Sequence, residues 1–161
     1  MTIEYITKDL TTVNHGIVAH GCNCQGKMGA GVALAIRKKW PVVYFEYVDM
    51  VASVGRNRAS LLGRCQIIET EHAEFSRVYV ANCFTQEYYG REAGKRYADP
   101  AAISQSLNYV LRVCKNNDLP LYMSKIGCSL GGLHWDSDVA PMLMNFDSAF
   151  NNELSIFVCE L

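Results

Sequence analysis

Hydrophobic and polar positions along this chain predict an alternation of strands and helices. Thr2–Ile6 is a short β-prone segment, and Gly16–His20 is a compact apolar strand followed at once by a polar, glycine-rich turn. Over Gly29–Trp40 the apolar residues recur at helical spacing, which predicts a first helix. Pro41–Val54 is expected to form a second helix, because the N–H that proline lacks makes no hydrogen bond at the first helical position.

The rest of the chain continues the alternation and contains one long loop. Two strands, Arg64–Glu69 and Val78–Phe84, are predicted on either side of a hairpin-like connection at Glu71–Ser76, and the polar, aromatic Gln86–Asp99 is expected to be a loop. The remaining predicted elements are a helix at Pro100–Asn116, a strand at Leu121–Ser124, a glycine-rich loop at Gly127–Leu133, a helix capped by Asp136 or Ser137 that ends near Phe150, and a strand at Leu154–Cys159. This alternation is typical of an α/β fold with a largely parallel sheet covered on both faces.

Length and composition indicate a single globular domain over residues 1–161. Half of the residues (50%) are hydrophobic, and 15 basic against 16 acidic side chains give a formal charge of -1, which argues against broad nonspecific binding to nucleic acid. No apolar run approaches the roughly 20 residues of a membrane helix, and Met1–Tyr5 lacks the layout of a signal peptide. The seven cysteines then indicate reduced thiols in a cytoplasmic protein. No membrane partner is expected, and the protein is expected to be a monomer.

Two glycine-rich segments follow predicted strands and precede predicted helices. The first is His20–Ala33, with the letters HGCNCQGKMGAGVA, and the second is Ile126–Leu133, with the letters IGCSLGGL. Glycine lets the backbone approach a ligand, and the unpaired N–H groups of a helix start attract anions, most naturally phosphate. In a parallel sheet both loops would emerge at the carboxyl ends of strands, where they could hold a diphosphate between them.

Either glycine-rich loop, taken alone, is as readily explained as a structural turn, since glycine clusters are common in turns. Two such loops in equivalent positions favour a phosphate site. The dinucleotide-binding fingerprint needs a third glycine, which Gly29–Leu34 lacks, and the Gly-Lys-Ser/Thr of the P-loop is absent. Both absences weaken the corresponding nucleotide-binding interpretations.

The order of residues in these loops resembles the signature of macrodomains, the ADP-ribose-binding fold. The resemblance rests on Asn23–Ala33, on Thr7–Leu10 after the first strand and on Lys125–Trp135, which come in the family's order across nearly the whole chain. The strand end at His20 and the Leu-x-Trp after the second loop are similar to one branch of the family. That branch contains compact ADP-ribose-1''-phosphate phosphatases and ADP-ribosyl-glutamate hydrolases.

The resemblance implies a three-layer α/β/α fold with a mixed, largely parallel sheet of about six strands and a cleft for ADP-ribose or ADP-ribose-1''-phosphate. It implies that Asp9 accepts the adenine amino group, that Asn23 bonds the distal ribose, and that N–H groups of 129–133 clamp the phosphates. The ligand-binding residues implied in this way are Asp9, Leu10, Asn23, Met28, Gly29, Ala30, Gly31, Val32, Gly127, Cys128, Ser129, Leu130, Gly131, Gly132 and Leu133. Phe157 or Trp135 is expected to supply any stacking on adenine.

His20 and Asn23 are the candidate catalytic residues. His20 closes the predicted strand immediately before the first loop, so its ring could reach the distal ribose and act as a general acid or orient a water. The alternative is a histidine packed beside the sheet. A thiol nucleophile at Cys22 or Cys128 is disfavoured, because cysteine-dependent phosphatases place an arginine in the phosphate loop and neither loop contains one. No carboxylate cluster has metal-ligand spacing, so neither a metal nor a cofactor is expected.

The reaction that the resemblance favours is metal-independent removal of the 1''-phosphate from ADP-ribose-1''-phosphate. The lysine nucleophile of the glutamyl-ester hydrolases has no counterpart beside Asn82–Thr85, and their loop aspartate falls at Gly131, which disfavours that branch. Two alternatives stay open. One is a noncatalytic ADP-ribose-binding module, and the other is an ADP-ribosyl hydrolase that acts on modified protein or nucleic acid.

Overall fold

The computed structural model describes residues 3–73 and 76–161, whose strands form one mixed sheet. The strands are β1 (Ile3–Thr7), β2 (His15–Asn23), β3 (Cys65–Ala73), β4 (Ser76–Gln86), β5 (Leu121–Met123) and β6 (Ile156–Glu160). They lie side by side in the order β1-β6-β5-β2-β4-β3. All neighbouring strands run parallel except β3, which pairs antiparallel with β4 at one edge. The predicted largely parallel sheet of six strands is confirmed.

Helices connect the strands at the positions that the apolar spacing predicts. They are α1 (Gly31–Lys39), α2 (Pro41–Ser53), α3 (Pro100–Asn117) and α4 (Ala140–Ala149), with short helical turns at Leu10–Thr12, Arg58–Leu61 and Trp135–Val139. Pro41 and Pro100 stand in the first turns of α2 and α3, where proline removes no helical hydrogen bond. None of the helices in the described ranges is long and apolar enough to cross a bilayer.

A separate hydrophobic core lies on each face of the sheet. Helices α3 and α4 pack on one face through side chains such as Leu107 and Leu143. Helices α1 and α2 pack on the other through side chains such as Ile36. Strand β2 serves both cores, because alternate residues point to opposite faces: Ile17 joins the first core and Val18 the second. The predicted three-layer α/β/α fold is therefore confirmed.

Strand β2 is longer than the sequence predicts, and this changes the setting of His20. The strand continues beyond His20 to Asn23, because its parallel pairing with β4 carries on through Gly21 and Cys22. The first residues of the predicted glycine-rich turn, up to Asn23, are thus still part of the sheet. His20 lies inside the strand and not at its end.

The helix before the last strand begins differently from the prediction. Neither Asp136 nor Ser137 caps it with a side-chain hydrogen bond; a π-helical turn at Trp135–Val139 leads into α4 instead. The carboxylate of Asp138 accepts the backbone N–H of His134 at 2.7 Å and so closes this turn. The hairpin of β3 and β4 also differs, since both strands run into the predicted connection and only residues 74–75 between them lie outside the described residues.

The packing of α3 against the sheet gives a first prediction. Leu107→Ala should lower the free energy of unfolding by about 3 kcal/mol, because Leu107 is fully buried and its loss leaves a cavity. Tyr109→Ala on the same helix should change it by less than about 0.5 kcal/mol, because Tyr109 is 52% exposed. Urea unfolding of both variants measures the difference, and equal losses would contradict the assignment of the two faces of α3.

Candidate functional site

The parallel strands bring both glycine-rich loops to one edge of the sheet. Loop one (residues 24–30) follows β2, and loop two (residues 124–134) follows β5, which is the parallel neighbour of β2. Parallel strands end at the same edge, so the two loops emerge side by side. Asp9 follows β1 at this edge, and the turn Leu10–Thr12 packs against α1.

Loop one presents a run of backbone N–H groups that have no acceptor within the described residues. The N–H groups of residues 28–33 belong to this run, and Leu34 is the first residue to bond back, to the carbonyl of Ala30. Helix α1 begins at Gly31, and its N-cap residue Ala30 makes no side-chain capping hydrogen bond. A Cβ at Gly29 or at Gly31 would meet nothing within 4 Å, so the space beside these N–H groups is open. Free N–H groups together with the positive end of α1 make an anion site.

Loop two presents a second, shorter run of free N–H groups at residues 129–131, judged over the part of the chain that the structure describes. The N–H groups of Gly132 and Leu133 are different, because they bond inside the loop to the carbonyls of Ser129 (3.2 Å) and Gly127 (2.9 Å). Phosphate binding by the N–H groups of 129–133 stays a prediction, and in this structure only those of 129–131 are free for it. Successive N–H groups in a turn form a concave anion site.

Three of the other predicted ligand residues have side chains that are buried in the core, whereas Leu130 is 45% exposed. Met28 and Leu10 are buried in the core beneath α1 and α2, and Leu133 is buried in the core beneath α3. The N–H of Cys128 bonds to the carbonyl of Lys125 at 3.1 Å. The side chains of Met28, Leu10 and Leu133 therefore belong to the core, and their contact with a ligand stays a prediction.

The segment 86–99 holds the two loops together, a link that sequence reasoning missed. At its start, the N–H of Cys24 in loop one lies 3.0 Å from the carbonyl of Gln86 and 3.1 Å from that of Glu87. At its end, the N–H groups of residues 97–98 bond to the carbonyl of Gly131 in loop two, at 2.9 and 3.1 Å. The length of this polar loop was a signal of function, but its contacts depend on the fold.

The side chain of Asn23 organises loop one. It is 8% exposed, its Oδ1 accepts the N–H of Gln25 (2.9 Å) and lies 3.4 Å from that of Lys27, and its Nδ2 donates to the carbonyl of Lys27 (2.8 Å). Arg58 adds a bond from Nη1 to the carbonyl of Gln25 at 3.2 Å. Contact between Asn23 and a ribose stays a prediction, while its bonds to the loop are part of the structure.

Asp9 is exposed at the end of β1 and caps the turn that follows. Its Oδ1 accepts the backbone N–H of Thr11 (2.9 Å) and the hydroxyl of Thr11 (2.7 Å). These two bonds, the backbone one foremost, hold the pKa of Asp9 below its usual range. The carboxylate is therefore ionised at neutral pH and suited to accept an N–H donor of a ligand, a role that stays a prediction.

The structure does not bring His20 to the loops. Its ring is 1% exposed, and Nε2 lies 2.6 Å from Oδ1 of Asn82, to which it donates. Burial lowers the pKa of His20 to about 4, so the ring is neutral at pH 7. This setting favours the alternative of a histidine packed within the fold, because β2 continues beyond it, while contact of His20 with the distal ribose stays a prediction.

His20 belongs to a row of hydrogen-bonded polar side chains that crosses three strands, from the buried His20 and Asn82 to the half-buried Gln66. Asn82 on β4 accepts from His20 and donates from Nδ2 to Oε1 of Gln66 on β3 (3.1 Å), and Gln66 donates to the backbone carbonyl of Glu46 on α2 (2.9 Å). Each member therefore has a partner, which is what permits polar groups at this depth.

The thiols and aromatic side chains considered for the site are engaged elsewhere. All seven cysteines are free, and burial raises the pKa of the Cys22 thiol and raises that of Cys128 to about 11, so neither is a thiolate at neutral pH. Phe157 stacks on Tyr122 with ring centroids 4.8 Å apart. Trp135 is 7% exposed and donates to the hydroxyl of Tyr5. The expectation that Phe157 or Trp135 stacks on adenine finds no support in these contacts.

Comparisons with known proteins agree with this geometry. A family model described as Macro domain matches residues 19–142. A protein of Meyerozyma guilliermondii named ADP-ribose 1''-phosphate phosphatase is 35% identical over 98 residues, which are 55% of this chain and 56% of that protein. A protein of Lodderomyces elongisporus with the same name is 25% identical over 150 residues, 88% of this chain and 91% of that protein.

The first of these relatives is matched over little more than half of its length, and the second over nearly all of it. Among solved structures, the macrodomain of Mycobacterium tuberculosis DarG is similar with a TM-score of 0.74 and 21% identity, over 98% of this chain and 95% of that one. At this level of identity the likeness concerns the fold.

The buried state of His20 predicts how stability depends on pH. Its pKa is about 4 when folded against 6.5 ordinarily, so between these values the unfolded chain binds a proton that the folded chain does not. The free energy of unfolding should therefore fall by about 3 kcal/mol from this group as the pH drops through that window. Urea unfolding between pH 4 and pH 7 should show a shallower slope for His20→Gln than for the wild type.

His134→Gln, at an exposed position beside loop two, is the matched control and should keep the wild-type slope. NMR titration of the His20 ring gives an independent reading should the variant unfold. A ring that becomes protonated above pH 6 would show that it is not enclosed as described.

Proposed function

Because this chain belongs to the Macro domain family, we propose that it is an ADP-ribose-1''-phosphate phosphatase that hydrolyses its substrate to ADP-ribose and inorganic phosphate. The names of relatives that are 25–35% identical support the reaction. The placement of the two loops supports the ligand class. Residues 1–161 would act as one domain, and seven free cysteines favour a reducing, cytoplasmic setting.

The observation that carries the proposal is the pair of N–H runs at residues 28–33 and 129–131. They face the same edge of the sheet from neighbouring strands, and a ligand with two adjacent phosphates would have one run for each. The positive end of α1 adds to the attraction. An uncharged or singly charged small molecule would leave one of the two runs unpaired.

The other groups at this edge would place the rest of the substrate. Asp9 would accept the adenine amino group at the end of β1, and Asn23 would stand beside the distal ribose at the end of β2. Residues 28–32 would line the ribose and the pyrophosphate. Adenosine and distal ribose would then lie on opposite sides of loop two, in the order in which β1, β5 and β2 occur in the sheet.

The reaction is hydrolysis of the bond between phosphorus and the oxygen atom on the 1'' carbon. Water oxygen bonds to phosphorus, the bond from phosphorus to the ribose oxygen breaks, and a proton of the water ends on that oxygen. Backbone N–H groups that are already oriented stabilise the charge that develops on the phosphoryl oxygens. His20 takes no direct part, because its ring is enclosed and neutral.

A noncatalytic ADP-ribose-binding module is the second candidate. The enclosed ring of His20 favours it, since this histidine was the proton-transfer group that the sequence offered. The two candidates use the same N–H groups and differ only in turnover.

Hydrolysis of ADP-ribosylated protein or nucleic acid is a further alternative, which the activity assay tests when modified glutamate peptides and DNA are included.

The activity prediction is that the purified chain releases phosphate from ADP-ribose-1''-phosphate with saturation kinetics and binds the product ADP-ribose in a calorimetric titration. Binding without phosphate release would assign the module instead. Absence of both would refute the proposed ligand. Release of ADP-ribose from a modified peptide or DNA, with no phosphatase activity, would move the chain to the hydrolase class.

The role of loop two gives a prediction of its own. Ser129→Asp should weaken ADP-ribose binding at least about tenfold, because a carboxylate among the free N–H groups repels the pyrophosphate. Ser137→Asp introduces the same charge on an exposed position just beyond the loop and should leave binding close to that of the wild type. Equal affinities of the two variants would place the pyrophosphate away from residues 129–131.

A further inference from the structure

We propose that Tyr47 is a positioning residue for loop one, which fixes the pyrophosphate-facing N–H groups from within the core; this inference rests on the proposed function. Tyr47 lies in the middle of α2 and is fully buried. No feature of the sequence connects it to the loops, because it fits the apolar stripe of the helix between Val43 and Val51.

The hydroxyl of Tyr47 stands at the junction of β2 and loop one. It lies 2.7 Å from the backbone carbonyl of Asn23 and 2.9 Å from Asn23 Oδ1, and it accepts the N–H of Gly26 at 3.1 Å. Burial raises the pKa of Tyr47 well above its usual range, so the hydroxyl keeps its proton and remains a donor. One oxygen atom therefore serves the last residue of the strand and a residue inside the loop.

Asn23 carries the effect of this hydroxyl further along the loop. The same Oδ1 that faces Tyr47 also accepts the N–H of Gln25, and Nδ2 holds the carbonyl of Lys27. The free N–H run begins at the next residue, Met28. The direction of those N–H groups is thus set by a short chain of bonds that starts at Tyr47.

The hydroxyl is separable from the packing of Tyr47. The ring stacks on Phe84, with centroids 5.7 Å apart and planes inclined by 28°, and this contact needs no oxygen atom. A phenylalanine at this position would therefore keep the core filled. It would leave the N–H of the half-buried Gly26 without its partner. The loss of this hydrogen bond favours a rearrangement of the loop.

The test is Tyr47→Phe, assayed for ADP-ribose affinity and for phosphatase kinetics. We expect the Kd for ADP-ribose to rise about tenfold. We expect KM to rise by a similar factor with kcat nearly unchanged, because N–H groups on the pyrophosphate bind substrate and transition state alike. A purely structural role would lower the active fraction, and with it kcat, and would leave KM unchanged.

Tyr44→Phe is the matched control on the same helix. The Tyr44 ring packs against the guanidinium of Arg37, 3.8 Å from the ring centroid. Among the described residues its hydroxyl makes no hydrogen bond to loop one, unlike that of Tyr47. This variant should keep wild-type Kd and KM. Thermal unfolding of both variants shows how much of each change in Kd and KM comes from a loss of stability of the whole fold.

The outcomes separate this inference from the proposed function. A wild-type protein that binds ADP-ribose, with a Tyr47→Phe variant of equal Kd, would overturn the role of Tyr47 alone. A wild-type protein that does not bind ADP-ribose would overturn both. Hydrogen exchange of the wild type is the second measurement: the Gly26 N–H should exchange more slowly than the free N–H groups of Gly29 and Gly31, and equal rates would refute the contact.

Discussion

The parallel pairing of β2 with β5 is the constraint on which the site depends. It places two loops that are far apart in the sequence next to each other at the carboxyl edge of one sheet. Each loop must satisfy its own backbone, since buried N–H and carbonyl groups need partners. The N–H groups that stay free, and can therefore bind an anion, are those of residues 28–33 and 129–131.

The row of hydrogen-bonded polar side chains at His20, Asn82 and Gln66 helps to hold the sheet in the register that this edge requires. His20 faces Asn82 and Asn82 faces Gln66 in the pairing of β2, β4 and β3, and their side chains bond in the same order. A slip of one residue would turn these side chains to the other face of the sheet, where the other core is apolar. It would leave polar groups unpartnered and cost about 1–3 kcal/mol for each. A row that serves the register therefore also serves the alignment of the two loops.

The helices and the topology class could be predicted from the sequence, because apolar spacing and proline positions act locally. It was misleading at His20, where Gly21 and Cys22 resemble the start of a turn but stay paired with β4. The strand length was decided by the partner strand, which no local pattern contains. Tyr47 was missed for a related reason: its ring fits the apolar stripe of α2, while the need of its hydroxyl for a partner becomes informative only when the location of loop one is known.

The two loops reach a similar result by different physical means. Loop one obtains its order from side chains, since Asn23 and Tyr47 bond its backbone. Loop two obtains its order from close backbone contacts: Gly132 has a φ of +82°, and a Cβ there would collide with the carbonyl of Lys95. A substitution at a side chain beneath loop one can therefore alter affinity by degrees, whereas almost any side chain at Gly132 forces the backbone to move. The shape of loop two is thus fixed by its backbone, whereas the geometry of loop one can be adjusted through the core.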